Sequence, residues 1–478
     1  MSVNLRYLVG KKLSQLSFYP LKVLPTGGKS FPGLFFIKFA GRQSINNLSK
    51  DQTDIGSVLI TGTNGKTTTT SMIVELLSQE LELSTSYGNN TVFSLTTSLL
   101  EKKSRLGIFE YGIRDIEHGT PQQVCQVLEP IGVVYTNISR EHTQVAGVKN
   151  PYENYVKAKS LLSGCMKNGI LIANADDPNT VFIGHNRQQD NHVVYFGLEL
   201  DDYESIFEEN EIPCPNCNGY LEYSVHYINQ RGKYQCSCGF KRPQPDVKIT
   251  RLTQNGDGIL LSIEADAYNY HKNDNIRYSV DLKLPSIGIH NIYNTLTAIA
   301  IYTAFTPSEN IENNIKSFFE NYRYTVPPGR FEILKLEDKT IGVGQGDNGD
   351  ALKINSQLMR ENIDGEVEFI YTTPDDNEEE IFEDHSQSIK ALDPVKLIVL
   401  PGRKSTDASN RYYNQIKDEY DSEYYGIEFD FEQRINKILE LIENSKCNNI
   451  IISGCGEEIV FWEVLKNRIK EEYGIKTN

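Results

Sequence analysis

The sequence predicts an α/β protein: a central domain whose parallel sheet carries a phosphate-binding loop, a small cysteine-bearing insertion, and a C-terminal Rossmann-like α/β domain. Three observations predict it. From residue 55 to about 200, apolar runs alternate with helix-like segments, and "SVLITG", "LGIFEYG", "IGVVYTNI" and "NGILIANADD" read as the strands. Parallel neighbours need a crossover, so strands separated by helices indicate βαβ units. The first of these strands runs directly into "GTNGKTTTT". A second alternation, "KTIGVGQ", "EVEFIYTT", "VKLIVLPG" and "NNIIISGCG", occupies residues 331–478.

The elements follow in order. Residues 1–50 form a lead-in segment that opens on the amphipathic, basic "MSVNLRYLVGKKLSQLSFYPLKVL". It lacks the compact apolar core and small-residue cleavage site of a secretory signal. Its pattern leaves a membrane-surface helix open, and a helix packed on the body of the protein is the expectation. "PTGGKSFPG" is a turn-rich break within it. The central domain spans 51–325 and contains the insertion at 205–245. Residues 246–284 alternate apolar and polar, as antiparallel strands do, and "IGIHNIYNTLTAIAIYTAF" reads as a loop entering a buried helix. The prolines of "YRYTVPPGRFE" mark a hinge to the C-terminal domain, 326–478. "DDNEEEIFEDH" is a solvated acidic run.

Composition excludes some classes. A formal charge of −16 over 478 residues argues against non-specific nucleic-acid binding, which needs a cationic surface. No run approaches the 18 apolar residues of a membrane-spanning helix. Of eight cysteines, Cys214, Cys217, Cys236 and Cys238 cluster within 25 residues, and Cys125, Cys165, Cys447 and Cys455 are scattered. That usage indicates a reducing cytoplasm and one metal cluster, not a disulfide framework. "CPNC" followed 18 residues later by "CSC" places four thiolates on two short turns, which suits a structural Zn²⁺.

The glycine loop carries the chemistry. Backbone N–H groups at a helix N-terminus bind phosphate oxygens, a lysine lies against the outer phosphates, and a threonine hydroxyl can hold Mg²⁺. Gly62, Thr63, Asn64, Gly65, Lys66, Thr67 and Thr68 are the candidates. The generic motif also asks for a glycine at position 60, which is Ile60, so the loop alone leaves a plain turn open.

The full string "GTNGKTTT" resembles the ATP loop of the Mur ligase family, and five further stretches continue the resemblance over about 270 residues. "IFEYGIRDIEHG" resembles the strand end whose acid, here Glu110, binds magnesium. "TNISREHTQVAG" resembles the segment with a metal-binding histidine, here His142. "YENYVKAKSLL" resembles the helix with a carbamoylated lysine, here Lys159, with Lys157 two residues earlier. "GIHNIYNTLTA" resembles the nucleotide-side loop, with His290, Asn291 and Asn294, and "PPGRFE" supplies the linker arginine, Arg330. Asp350 falls where the family's peptide ligases have an aspartate, although neighbouring motif positions are Gly344 and Asp347. Singly, each of these has a structural alternative: a strand-end acid, a helix cap, a surface lysine, a turn-stabilising asparagine.

The resemblance implies an ATP-dependent amide-bond ligase. Lys66 would meet the β- and γ-phosphates. Thr67 and Glu110 would hold one Mg²⁺, and His142 with the Lys159 carbamate a second. The cysteine ribbon and lead-in resemble the MurT branch, whereas the Lys159 helix resembles the peptide-ligase branch. That combination is most similar to the pseudomurein peptide ligases (pMurC and pMurE) of methanogenic archaea. It implies an amino acid and a nucleotide- or glycan-linked peptide precursor as substrates. The alternative is a MurT-like amidating subunit supplied with ammonia by a glutaminase partner.

Overall fold

The computed structural model describes residues 5–18, 30–88, 90–113, 115–117, 119–139, 151–203, 212–255, 258–285, 287–324, 326, 328–376, 378–403, 407–426 and 430–475. The described residues divide into two compact units, one up to Tyr322 and the other from Arg323 onward.

The first unit is built on β1 (Thr53–Thr61), β2 (Leu83–Ser86), β3 (Ser104–Glu110), β4 (Gly132–Tyr135), β5 (Ile170–Asn174) and β6 (His192–Leu198). β7 (Glu222–Ile228) and β8 (Arg231–Gln235) form a separate hairpin, and β9 (Val247–Asn255), β10 (Gly258–Asn269) and β11 (Asp274–Leu284) complete the main sheet. Its order is β11-β10-β9-β6-β5-β4-β1-β3-β2. β2 through β6 and β1 pair in parallel, and β9–β11 add an antiparallel meander. Val58, Leu59 and Ile60 of the central β1 are fully buried, as a strand covered on both faces requires. The helix Ile289–Phe305 is buried along nearly its whole length and packs against the helix Lys66–Leu77. This α/β, parallel-rich architecture matches the predicted class.

In the lead-in, helices Leu5–Leu16, Phe31–Ala40 and Ser44–Gln52 pack on the body through Tyr7, Phe36, Ile45 and Leu48. A Cβ on Gly33 would stand 2.0 Å from the Phe93 carbonyl, so only glycine allows this close approach to the helix Val92–Glu101.

One expectation from cysteine usage is corrected. Cys125 and Cys165, counted among the scattered thiols, are joined in a disulfide with Cα atoms 5.9 Å apart. The fold brings the helix Pro121–Leu128 beside the turn Leu161–Ser163, closing a separation of 40 residues that no local pattern reveals.

The second unit contains β12 (Glu332–Lys335), β13 (Thr340–Gln345), β14 (Glu368–Thr372), β15 (Lys396–Leu400), β16 (Ser422–Tyr424) and β17 (Asn449–Gly454). The order is β12-β13-β17-β14-β15-β16, parallel throughout except for β12. Helices such as Gly349–Asn362 and Ile459–Glu472 follow strands, and Trp462, Phe461 and Ile452 are among its buried core.

Candidate active site

β1 ends at Thr61, the chain turns through Gly62–Gly65, and the helix Lys66–Leu77 begins. Gly65 has φ +81°, in the left-handed region, and a Cβ there would lie 2.2 Å from Asn294 Oδ1. At Gly62 a Cβ would lie 1.9 Å from Thr136 Oγ1. Both glycines are therefore demanded by close neighbours, not by flexibility. The helix has no acidic residue in its first turn, so its positive end is left available to an anion.

The loop is held from several sides. Thr63 N donates to Asn137 O at 2.8 Å, and Asn64 N donates to Asn137 Oδ1 at 3.1 Å. The Asn137 amide and the Thr136 hydroxyl both donate to Asn64 O, at 2.9 and 2.7 Å. Ser139 N donates to Thr63 Oγ1 at 3.0 Å, and the Tyr155 hydroxyl stands 3.2 Å from the same oxygen.

The candidate charged groups converge on this loop. Lys66 Nζ donates to Gly62 O and Thr63 O at 2.9 and 2.6 Å. Thr67 Oγ1 donates to Glu110 Oε2 at 2.9 Å, and Gly88 N donates to the same oxygen at 2.9 Å. Glu110 is buried at the end of β3, so a carboxylate and a hydroxyl sit together beside the loop, the oxygen chemistry a hard divalent cation takes. Lys159 is buried as well; its Nζ donates to Gly62 O at 2.9 Å and lies 4.5 Å from the Tyr155 ring centroid. Lys157 lies on the same helix, and Thr68 is partly exposed in the first turn of the helix Lys66–Leu77. Asn294 covers Gly65, accepts from Thr69 Oγ1 at 3.5 Å and donates to Asn291 Oδ1 at 3.2 Å. The structure thus gathers residues 62–67, Glu110, Lys159, Asn291 and Asn294 in one place.

His142 lies outside the described residues. Arg330 and Asp350 belong to the second unit, where Arg330 Nη1 is 3.7 Å from Asp347 Oδ1 and Asp350 stands in the first turn of the helix Gly349–Asn362.

Several residues that hold the site were not singled out by sequence. Tyr155 precedes Lys159 by four positions on the helix Pro151–Ser160, so helical spacing puts both on one face and offered a signal. Gln230, in the β7–β8 turn, offered none. Its Nε2 donates to Ile138 O and to Asp177 Oδ2, both at 2.9 Å. Asp177 Oδ2 also accepts from Ile138 N at 2.8 Å, and its Oδ1 caps the helix Pro178–His185. The cysteine insertion is in this way tied to the segment that carries Asn137 and Ser139. Burial pushes the Asp177 carboxyl up to about 6, against the pull of the Ile138 N–H and the Arg231 charge. Arg231 lies 4.8 Å above the Tyr293 ring, and burial together with its charge pushes the His290 imidazole down to about 4.

The four clustered cysteines flank the β7–β8 hairpin, with all four Sγ atoms within 4.8 Å of one another. Cys214 and Cys238 are 3.8 Å apart, Cys217 and Cys236 3.6 Å. Thiolates about 2.3 Å from a tetrahedral Zn²⁺ stand about 3.8 Å from each other, so the donor set fits that ion. The insertion is fastened to the body by Arg242 Nε to Asp176 Oδ1 at 2.7 Å and by Lys233 Nζ to Asp201 Oδ1 at 2.8 Å.

A glycine loop at the mouth of a parallel sheet, with a lysine, a buried acid and a paired threonine, defines a phosphate-loop nucleotide-binding domain. Residues 60–218 match the family description "Mur ligase middle domain". Residues 60–218 thus carry the middle domain of the Mur ligases, which are ATP-dependent ligases that form C–N bonds. It is 27% identical over 373 residues to the lipid II isoglutaminyl synthase (glutamine-hydrolyzing) subunit MurT of Staphylococcus aureus, covering 76% of each chain. In structure it is similar to a pseudomurein peptide ligase type C from Methanothermus fervidus, with TM-score 0.66 and 22% identity, over 89% of this chain and 81% of that one. MurF from Acinetobacter baumannii follows with TM-score 0.62 and 16% identity, over 90% and 81% of the two chains. Among the described residues no helix is long and apolar enough to cross a membrane.

Proposed function

We propose that this chain is an ATP-dependent ligase that joins an amino acid to a cell-wall peptide precursor through an acyl phosphate. The observation that carries the reading is the convergence of Lys66, Thr67, Glu110 and Lys159 on the Gly62–Gly65 loop. The acceptor carboxylate attacks the γ-phosphorus of ATP and ADP departs. The amine then attacks the acyl carbon, inorganic phosphate leaves, and the nitrogen gives up a proton. The difficulty is electrostatic, because a carboxylate must approach a triphosphate. Lys66 and the helix N-terminus stabilise the phosphate charge. Thr67 with Glu110, and Lys159 as a carbamate with His142, are the residues that would hold Mg²⁺, which supplies further positive charge between the reacting oxyanions. Carbamoylation turns a buried amine into an oxygen ligand, and Lys159 is already placed against the loop. Arg330 and Asp350 stay assigned to the nucleotide by their motifs alone. Cys214, Cys217, Cys236 and Cys238 are assigned to a structural Zn²⁺ by their spacing.

The acceptor we favour is a nucleotide- or glycan-linked peptide of pseudomurein synthesis, because the chain combines a cysteine ribbon with a carbamate-type lysine helix. The similarity to MurT supports a second reading, an amidating subunit that takes ammonia from a glutaminase. Phosphate release from ATP and Mg²⁺ with a precursor pool separates the two. Release that depends on one amino acid and on Lys159 supports the peptide ligase. Release with ammonium alone, or only after a glutaminase is added, moves the assignment to the second reading, and none under any condition refutes both.

A further inference from the structure

The first 50 residues hold eight Lys and Arg and no Asp or Glu, in a chain whose formal charge is −16, so the remainder carries −24. That cationic segment also presents apolar surface. The helix Leu5–Leu16 buries Tyr7, Gly10 and Ser14 and turns the opposite stripe outward. Leu5 is 73% exposed and Leu16 60%, with Leu8, Val9 and Leu13 exposed between them. On the neighbouring helix Phe31–Ala40, Phe31, Leu34 and Phe39 are exposed too. Phe31, Phe35 and Phe39 stack along one face with ring centroids 6.3 and 6.4 Å apart. Phe39 Cδ1 lies 3.2 Å from where a Cβ on Gly10 would stand, so the end of the aromatic ladder adjoins the first helix at Gly10. Apolar side chains this large and this contiguous mark an interaction surface. Arg6, Lys12 and Lys38 are exposed on the same two helices.

We propose that these two helices dock the protein on an anionic lipid surface. The leucines, valine and phenylalanines would enter the boundary between headgroups and acyl chains, and the basic side chains would meet the lipid phosphates. The acidic remainder is repelled by the same surface, which fixes the face presented to it. Helices of 12 and 10 residues lie along such a surface and cannot span it.

Co-sedimentation of the full chain with vesicles tests this. With vesicles rich in phosphatidylglycerol the protein pellets, with pure phosphatidylcholine it stays in solution, and salt weakens the binding. The double variant Leu8→Glu, Leu16→Glu loses at least tenfold in vesicle affinity, and Lys12→Glu loses at least about fivefold. Both positions are exposed, so circular dichroism and melting stay as in wild type. Three results would each overturn the proposal: no binding to anionic vesicles, equal binding to neutral ones, or unchanged binding by the double variant. A wild-type dimer that the double variant turns into a monomer would also overturn it, by assigning the face to a second copy of the chain.

Discussion

Gly65 leaves no room for a side chain, because its backbone is left-handed and Asn294 Oδ1 occupies the space a Cβ would need. Gly65→Ala therefore displaces the asparagine and strains the loop by about 1–3 kcal/mol. Nucleotide affinity measured by calorimetry should fall at least tenfold, more than the loss in melting temperature alone explains. Lys159 makes a sharper case. It is a buried amine with its nitrogen on Gly62 O, and Lys159→Met keeps most of the bulk while removing the group. Phosphate release should drop about 10²-fold or more with the fold intact, as when a residue stabilising transition-state charge is lost. Asp177 titrates in a defined window. Burial raises its folded carboxyl to about 6, above the ordinary carboxylate range. Its contribution to stability is then fully present below about pH 4 and is lost as pH rises through 6. Asp177→Asn cannot titrate, so its melting temperature should gain on wild type between pH 4.5 and 7.5. Parallel pH curves would show that Asp177 does not titrate there.

The cysteine hairpin is the element whose position matters beyond its own stability. Gln230 at its turn fastens Ile138, and the residues on either side of Ile138 hold the phosphate loop. Gln230→Leu should raise the KM for ATP about fivefold, the effect of one lost pair of hydrogen bonds, with a metal content equal to that of wild type. Cys214→Ser should lose zinc and lower the melting temperature together. Normal zinc content and stability in that variant would contradict the assignment of the cluster.

At the scale of the whole molecule, legibility in the sequence followed distance along the chain. β1, its glycine loop and the helix Lys66–Leu77 are contiguous, so period and glycine placement disclosed them. The α/β class was equally plain, because strand and helix alternation is local. The pairing of Cys125 with Cys165 spans 40 residues, and Gln230 meets Ile138 across 92. Tertiary packing decides such contacts, and neither residue type nor spacing announces them. The lead-in shows a partial case. Its amphipathic pattern predicted a packed helix, and the packed face is there, but the opposite face is apolar as well.

The proposed function rests on activation of a carboxylate as an acyl phosphate. The most direct test uses a precursor whose reacting carboxylate carries ¹⁸O, incubated with ATP, Mg²⁺ and the amine that supports turnover. Mass spectrometry of the released phosphate then reads the oxygen's origin. One ¹⁸O atom is expected in each phosphate formed, with the label absent when Lys66→Ala abolishes turnover. Phosphate free of label, released during product formation, would mean that the carboxylate never attacked phosphorus and would contradict the mechanism.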